Sequence, residues 1–70
     1  MNEVSMSFPI PNGRLILWRY LCPHNAEWMW GVEEQIEGEE RVIQWWNDFH
    51  SASMRFELLL EKHAKKEESK

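Results

Sequence analysis

Pro11-Asn12-Gly13 separates two runs of strand-like sequence, and no other segment restricts the fold of this chain so strongly. Asn and Gly tolerate positive φ, and side by side they close two-residue hairpins whose twist matches that of the flanking strands. Before the turn, Val4-Ser5-Met6-Ser7-Phe8-Pro9-Ile10 alternates apolar with small or polar residues at period two, the pattern of a strand with one buried face. Pro9 has no amide hydrogen to offer a neighbour, which makes this an edge strand. After the turn, residues 14–21 are apolar on both faces, as a central strand would be.

Pro23-His24-Asn25-Ala26 supplies a second turn, and Trp28-Met29-Trp30-Gly31-Val32 opens a third strand that fades near Gln35. The expectation is a three-stranded antiparallel meander over about residues 3–36. An Asn12-Gly13 loop sets Phe8 opposite Leu17, and the second turn sets Leu21 opposite Trp28. One face then collects Val4, Met6, Phe8, Ile10, Leu15, Leu17, Leu21, Trp28, Trp30 and Val32. The other carries Ile16, Trp18, Tyr20 and Met29, too much apolar surface to be left to water.

Gly38 ends the sheet, and a long helix is expected over about 39–66, followed by a charged tail at 67–70. Glu39 and Glu40 suit the positive end of its dipole, and Lys62, Lys65 and Lys66 the negative end. Val42, Trp45, Trp46, Phe49, Ala52, Ser53, Phe56, Leu59, Leu60 and His63 recur as a heptad stripe. Such a helix spans about 40 Å, whereas an eight-residue strand spans about 27 Å. The overhang calls for a second copy of the helix, so the fold class expected is α+β, βββα and homodimeric. Trp45, Phe49, Phe56, Leu59 and Leu60 are assigned to the core or dimer seam. Trp46, about 100° round from Trp45 on a helix, is left to reach a partner.

Seventy residues allow one small domain, which needs disulfides, a metal, good packing or oligomerisation. Cys22 is alone, which removes disulfides and suits a reducing compartment. Cys22-Pro23-His24 is too compact, and His50 and His63 too far apart, for a recognised zinc spacing. No segment resembles a secretion signal or reaches membrane-spanning length, so a cytoplasmic protein is expected. The start at Met1 and the charged end suggest a complete small reading frame. No catalytic residue, cofactor or metal is expected: Cys22 and His24 share a proline turn, and Asp48 and His50 do not face each other on a helix.

Net charge is −4, with Glu33, Glu34, Glu37, Glu39 and Glu40 in eight positions, which disfavours phosphate binding. Even so, Trp18 and Tyr20, near Arg14 and Arg19, have the makings of a base-stacking platform. Trp18-Arg19, Trp28 ten residues later, Glu33-Glu34 and a helix start at Val42-Ile43 resemble chromo-type domains, over about half the chain. That resemblance implies a three-stranded sheet with a C-terminal helix and an aromatic cage for methylated lysine, drawn from Trp18, Tyr20 or Trp28. Trp30-Gly31-Val32 and the longer helix depart from it.

The function expected is non-enzymatic protein binding. Small acidic binders of this kind are typical of phage or mobile-element products that inhibit or redirect a host protein, such as a transcription regulator or defence complex. A few aromatic and arginine anchors carry most of the energy of such an interface. The anchors expected here are Trp18, Tyr20, Trp46, Met54, Arg55 and Leu58, with the acidic run steering a basic partner. Nucleic acid and membrane are not expected partners.

Overall fold

The computed structural model describes residues 2–68 and is α+β: a four-stranded antiparallel sheet followed by one C-terminal helix. Strands β1 (Asn2–Ile10), β2 (Gly13–Leu21), β3 (Trp28–Ile36) and β4 (Val42–Trp46) lie in sequence order, and helix α1 covers Phe49–Glu68. The expected tail at 67–70 lies partly outside the described residues.

The fourth strand corrects the expectation of three strands and a helix from residue 39. Val42-Ile43-Gln44-Trp45-Trp46 joins β-branched and aromatic residues that fit a pleated surface, and it pairs with residues 30–34 of β3. Gly38 at φ 84° turns the chain between β3 and β4, so Glu39 and Glu40 sit in that turn and not at a helix start. The helix begins later because Asp48 caps it: its carboxylate accepts the Ser51 amide at 2.8 Å. That bond also lowers the Asp48 pKa.

Shortening the helix removes the overhang. Twenty helical residues and nine strand residues both span about 30 Å. Phe56 and Leu59 are buried within the chain's own core, with Ala52, Leu15, Leu17 and Val32, and Leu60 packs against it. They need no second helix to cover them. Phe49, expected in the core or a dimer seam, is 51% exposed at the first helical position, with its ring edge-on to Trp30 at 4.9 Å.

The first hairpin closes differently from the expectation. Pro11 and Asn12 form its loop, Asn12 takes φ 63°, and Gly13 already pairs with Ile10. Proline is preset for the first central position and Asn accepts positive φ at the second. A β-carbon on Gly13 would stand 1.8 Å from the Gln35 carbonyl oxygen, so the strands approach there as only glycine permits. Phe8 therefore lies opposite Leu15, two residues from the expected register, which preserves its face. A register shift between Val4 and Met6 moves Val4 to the other face, opposite Trp18. Leu21 faces Trp28, as expected.

The helix packs across β2, β3 and β4. At its far end His63 is buried, its Nε2 2.5 Å from Glu34 Oε2 on β3. Lys62 Nζ lies 3.5 Å from the same oxygen. Burial pushes the Glu34 carboxyl up, but hydrogen bonds and charge from His63 and Lys62 outweigh it and leave the pKa lowered.

Candidate functional site

Residues directly opposite on neighbouring strands share a face, so the pairings Trp18–Gly31–Trp45 and Ile16–Glu33–Ile43 run across the side away from the helix. Tyr20 and Met29 continue that side toward the open end of the sheet, and Val4 and Asn2 join it beyond the β1 irregularity. The helix has taken the opposite side, and no other element of the described chain covers this one.

Gly31 organises its centre. Without a side chain there, the Trp45 indole lies across the β3 backbone, and its edge approaches Tyr20 with ring centroids 6.2 Å apart and planes at 67°. Trp45 nonetheless remains 38% exposed. Tyr20 and Trp45, with Met29, Cys22 and Asn2, line a concave and mainly apolar patch. None of those five residues carries a charge, so an apolar group fits there better than a cation.

Beside the aromatics lies a closed polar cluster. Glu33 is 0% exposed although it points away from the core, because three side chains roof it. Trp18 Nε1 donates to its Oε1 at 2.7 Å, Gln35 Nε2 donates to Oε2 at 2.9 Å, and Arg41 Nε donates to the same Oε2. The Arg41 bond does most to hold the Glu33 pKa down at about 2; burial opposes it, and the Gln35 and Trp18 bonds assist. A carboxylate so fully bonded is poorly placed to act as a base. It fixes the Trp18 ring on the sheet instead.

The expected anchors separate into two surfaces and a core position. Trp18 and Tyr20 belong to the uncovered face. Met54, Arg55 and Leu58 are exposed on the helix, and Met54 and Leu58 stand one turn apart among Glu57 and Glu61. Trp46, expected as an anchor, packs against the core beside Trp30, and Trp45, expected in the core or a dimer seam, lies on the uncovered face. The correction follows from strand geometry: adjacent residues point to opposite sides of a sheet. Trp28 is on the helix side, where Arg19 sits 5.0 Å over its ring and Glu3 holds Arg19 at 2.7 Å. It therefore does not join Trp18 and Tyr20 in a cage. Val42 and Ile43, a helix start in the chromo-type resemblance, are strand residues.

Met29 lies on this face with Trp18 and Tyr20, as expected, whereas sequence reasoning gave Ile43 and Gly31 no part in it. A short run of β-branched and aromatic residues at 42–46, bounded by Gly38 and Asp48, was the available signal for Ile43 and Trp45. Cys22 and His24 sit in a turn held by backbone bonds, Cys22 N to Glu27 O and Ala26 N to Cys22 O, both 2.9 Å. Among the described residues no three of His, Cys, Asp or Glu gather as metal ligands, and no helix is long and apolar enough to cross a membrane. No family model, curated protein or solved structure matches this chain.

Proposed function

We propose that this chain is a non-enzymatic protein-binding module whose contact surface is the uncovered sheet face. It acts as a small phage- or mobile-element-type inhibitor or modulator of a host protein, such as a transcription regulator or a defence complex. One observation carries the binding role: Trp18, Tyr20, Trp45, Met29 and Ile43 share a face that nothing in the described chain covers. The source class is inferred from the acidity of a 70-residue chain in whose described residues no catalytic constellation is recognised.

The partner that fits presents an apolar or aromatic side chain to the Tyr20–Met29–Trp45 concavity, with basic residues around it. Glu37, Glu39 and Glu40, exposed in the turn between β3 and β4, supply the field that steers such a surface. Stacking of an unpaired base or a methylated lysine on the Tyr20–Trp45 corner is the alternative, favoured by the 67° angle between the two rings. Net charge −4 weighs against the nucleic-acid form of it.

The test is capture from host lysate, followed by titration of the purified captured protein against defined variants. Tyr20→Ala and Trp45→Ala should each weaken binding by about 2 kcal/mol or more, the level of an interface hot spot. Met54→Ala and Leu58→Ala should leave it within about 0.5 kcal/mol. Equal binding by the sheet-face variants refutes the proposed surface. Oligonucleotide binding that falls steeply with salt supports the alternative.

A further inference from the structure

The two edges of the sheet are built differently. On β1, Pro9 removes an amide donor and the shift between Val4 and Met6 breaks the ladder. Both features discourage another strand from pairing there. At the opposite edge, β4 contains neither proline nor register shift, and it is the one described strand without a charged residue. It pairs only with β3, so its outer backbone groups are free of sheet partners.

We infer that β4 pairs antiparallel with β4 of a second copy of this chain, around a two-fold axis at Gln44. The strand is complementary to itself in that register. Ile43 then faces Trp45 of the second copy on the uncovered side, and Val42 faces Trp46 of the second copy on the helix side. The two Gln44 amides meet on the axis, where each is able to donate and accept. Val42, Ile43 and Trp45, all exposed at this edge, gain apolar neighbours. Cross-strand aromatic and β-branched pairs of this kind are favourable, and no like charges oppose one another along the strand. Self-complementarity is what selects a second copy over a foreign strand, since an isologous interface requires it.

The joined sheet has eight strands, and the two uncovered faces become one continuous platform. Each Tyr20–Trp45 corner is then bordered by Ile43 of the other copy. The pairing does not depend on the binding role proposed above: it is read from self-association alone, with no partner present.

Sedimentation of the full chain over about 1 to 500 μM, a range in which a short-edge dimer should form and dissociate, provides the test. Gln44→Lys and Gln44→Glu each place two like charges on the axis and should weaken self-association more than about tenfold. Mixed in equal amounts, they should restore it. Circular dichroism checks that each variant is folded, as the exposure of Gln44 leads one to expect. Independently, Gln44→Cys in a Cys22→Ser background should crosslink on oxidation, because residues opposite in an antiparallel ladder lie about 4.5–5.5 Å apart, within disulfide range. A wild-type monomer throughout overturns the inference. So does self-association that survives both charged variants, or that is lost only on Leu58→Lys at the outer helix surface.

Discussion

The indole of Trp45 rests on the backbone of Gly31, three of its ring carbons within 3.0 Å of where a β-carbon on residue 31 would stand. Gly31 is thus the seat of the ring that dominates the uncovered face. Gly31→Ala should lift or tilt the indole, since its partial exposure leaves it room to move. Alanine has no φ penalty here, because Gly31 lies outside the positive-φ region. Stability should change by no more than about 1 kcal/mol. Near-ultraviolet circular dichroism should change markedly, because the Tyr20–Trp45 geometry is lost, and partner affinity should fall with it. An unchanged spectrum would show that the ring is not seated as described.

Glu33 predicts a specific acid response. Its pKa falls from an ordinary 4.5 to about 2 in the folded chain, so the stability it contributes is present above about 4.5 and is lost as the pH drops toward 2. Glu34 is shifted in the same direction. Urea unfolding of wild type and Glu33→Gln should differ most at neutral pH, and the difference should shrink between about 4.5 and 2. A constant difference across that window would mean that the Arg41, Gln35 and Trp18 bonds do not hold the charged form.

His63 ties the far end of the helix to β3. His63→Ala removes a buried partner from Glu34 and leaves Lys62 alone beside it. The cost should be about 1–3 kcal/mol, the range for losing a hydrogen bond to a charged group. His63→Gln, which still offers a donor, should recover part of it. Amide exchange should accelerate first in the helix after Phe56, a pattern that a general loss of stability would not give.

How much of this was legible beforehand depended on whether one local pattern had one interpretation. Pro11-Asn12-Gly13 and the turn at 23–26 each sit between residues that alternate or run apolar, and the meander and the Leu21–Trp28 pairing followed from them. Residues 42–46 fit two patterns at once: a heptad stripe continuing into Phe49 and Phe56, and a short strand rich in β-branched and aromatic residues. Short apolar runs carry that ambiguity. Asn47-Asp48, with Ser51 three residues on, marked the true helix start, because Asp is a strong N-cap. That cap puts residues 42–46 ahead of the helix and frees them for a strand; the face that Trp45 takes follows only from the pairing with Gly31. The roofed Glu33 was beyond sequence reasoning, since Arg41 reaches it only once β3 and β4 lie side by side.

The adjacent tryptophans test the fold and the site together. On β4, Trp46 turns toward the helix and packs against the core near Trp30, whereas Trp45 turns outward onto Gly31. Trp46→Ala should therefore cost about 2–4 kcal/mol, toward the lower part of the large-to-small range because the ring is only partly buried. Trp45→Ala removes a ring with solvent on one side, and should cost no more than about 1.5 kcal/mol while abolishing partner capture. Urea midpoints measure the first effect, and titration of the captured partner the second. In a helix the two rings would sit about 100° apart, and the order of the two stability losses would reverse. Equal losses would mean that both rings are buried, leaving no aromatic platform on the outer face.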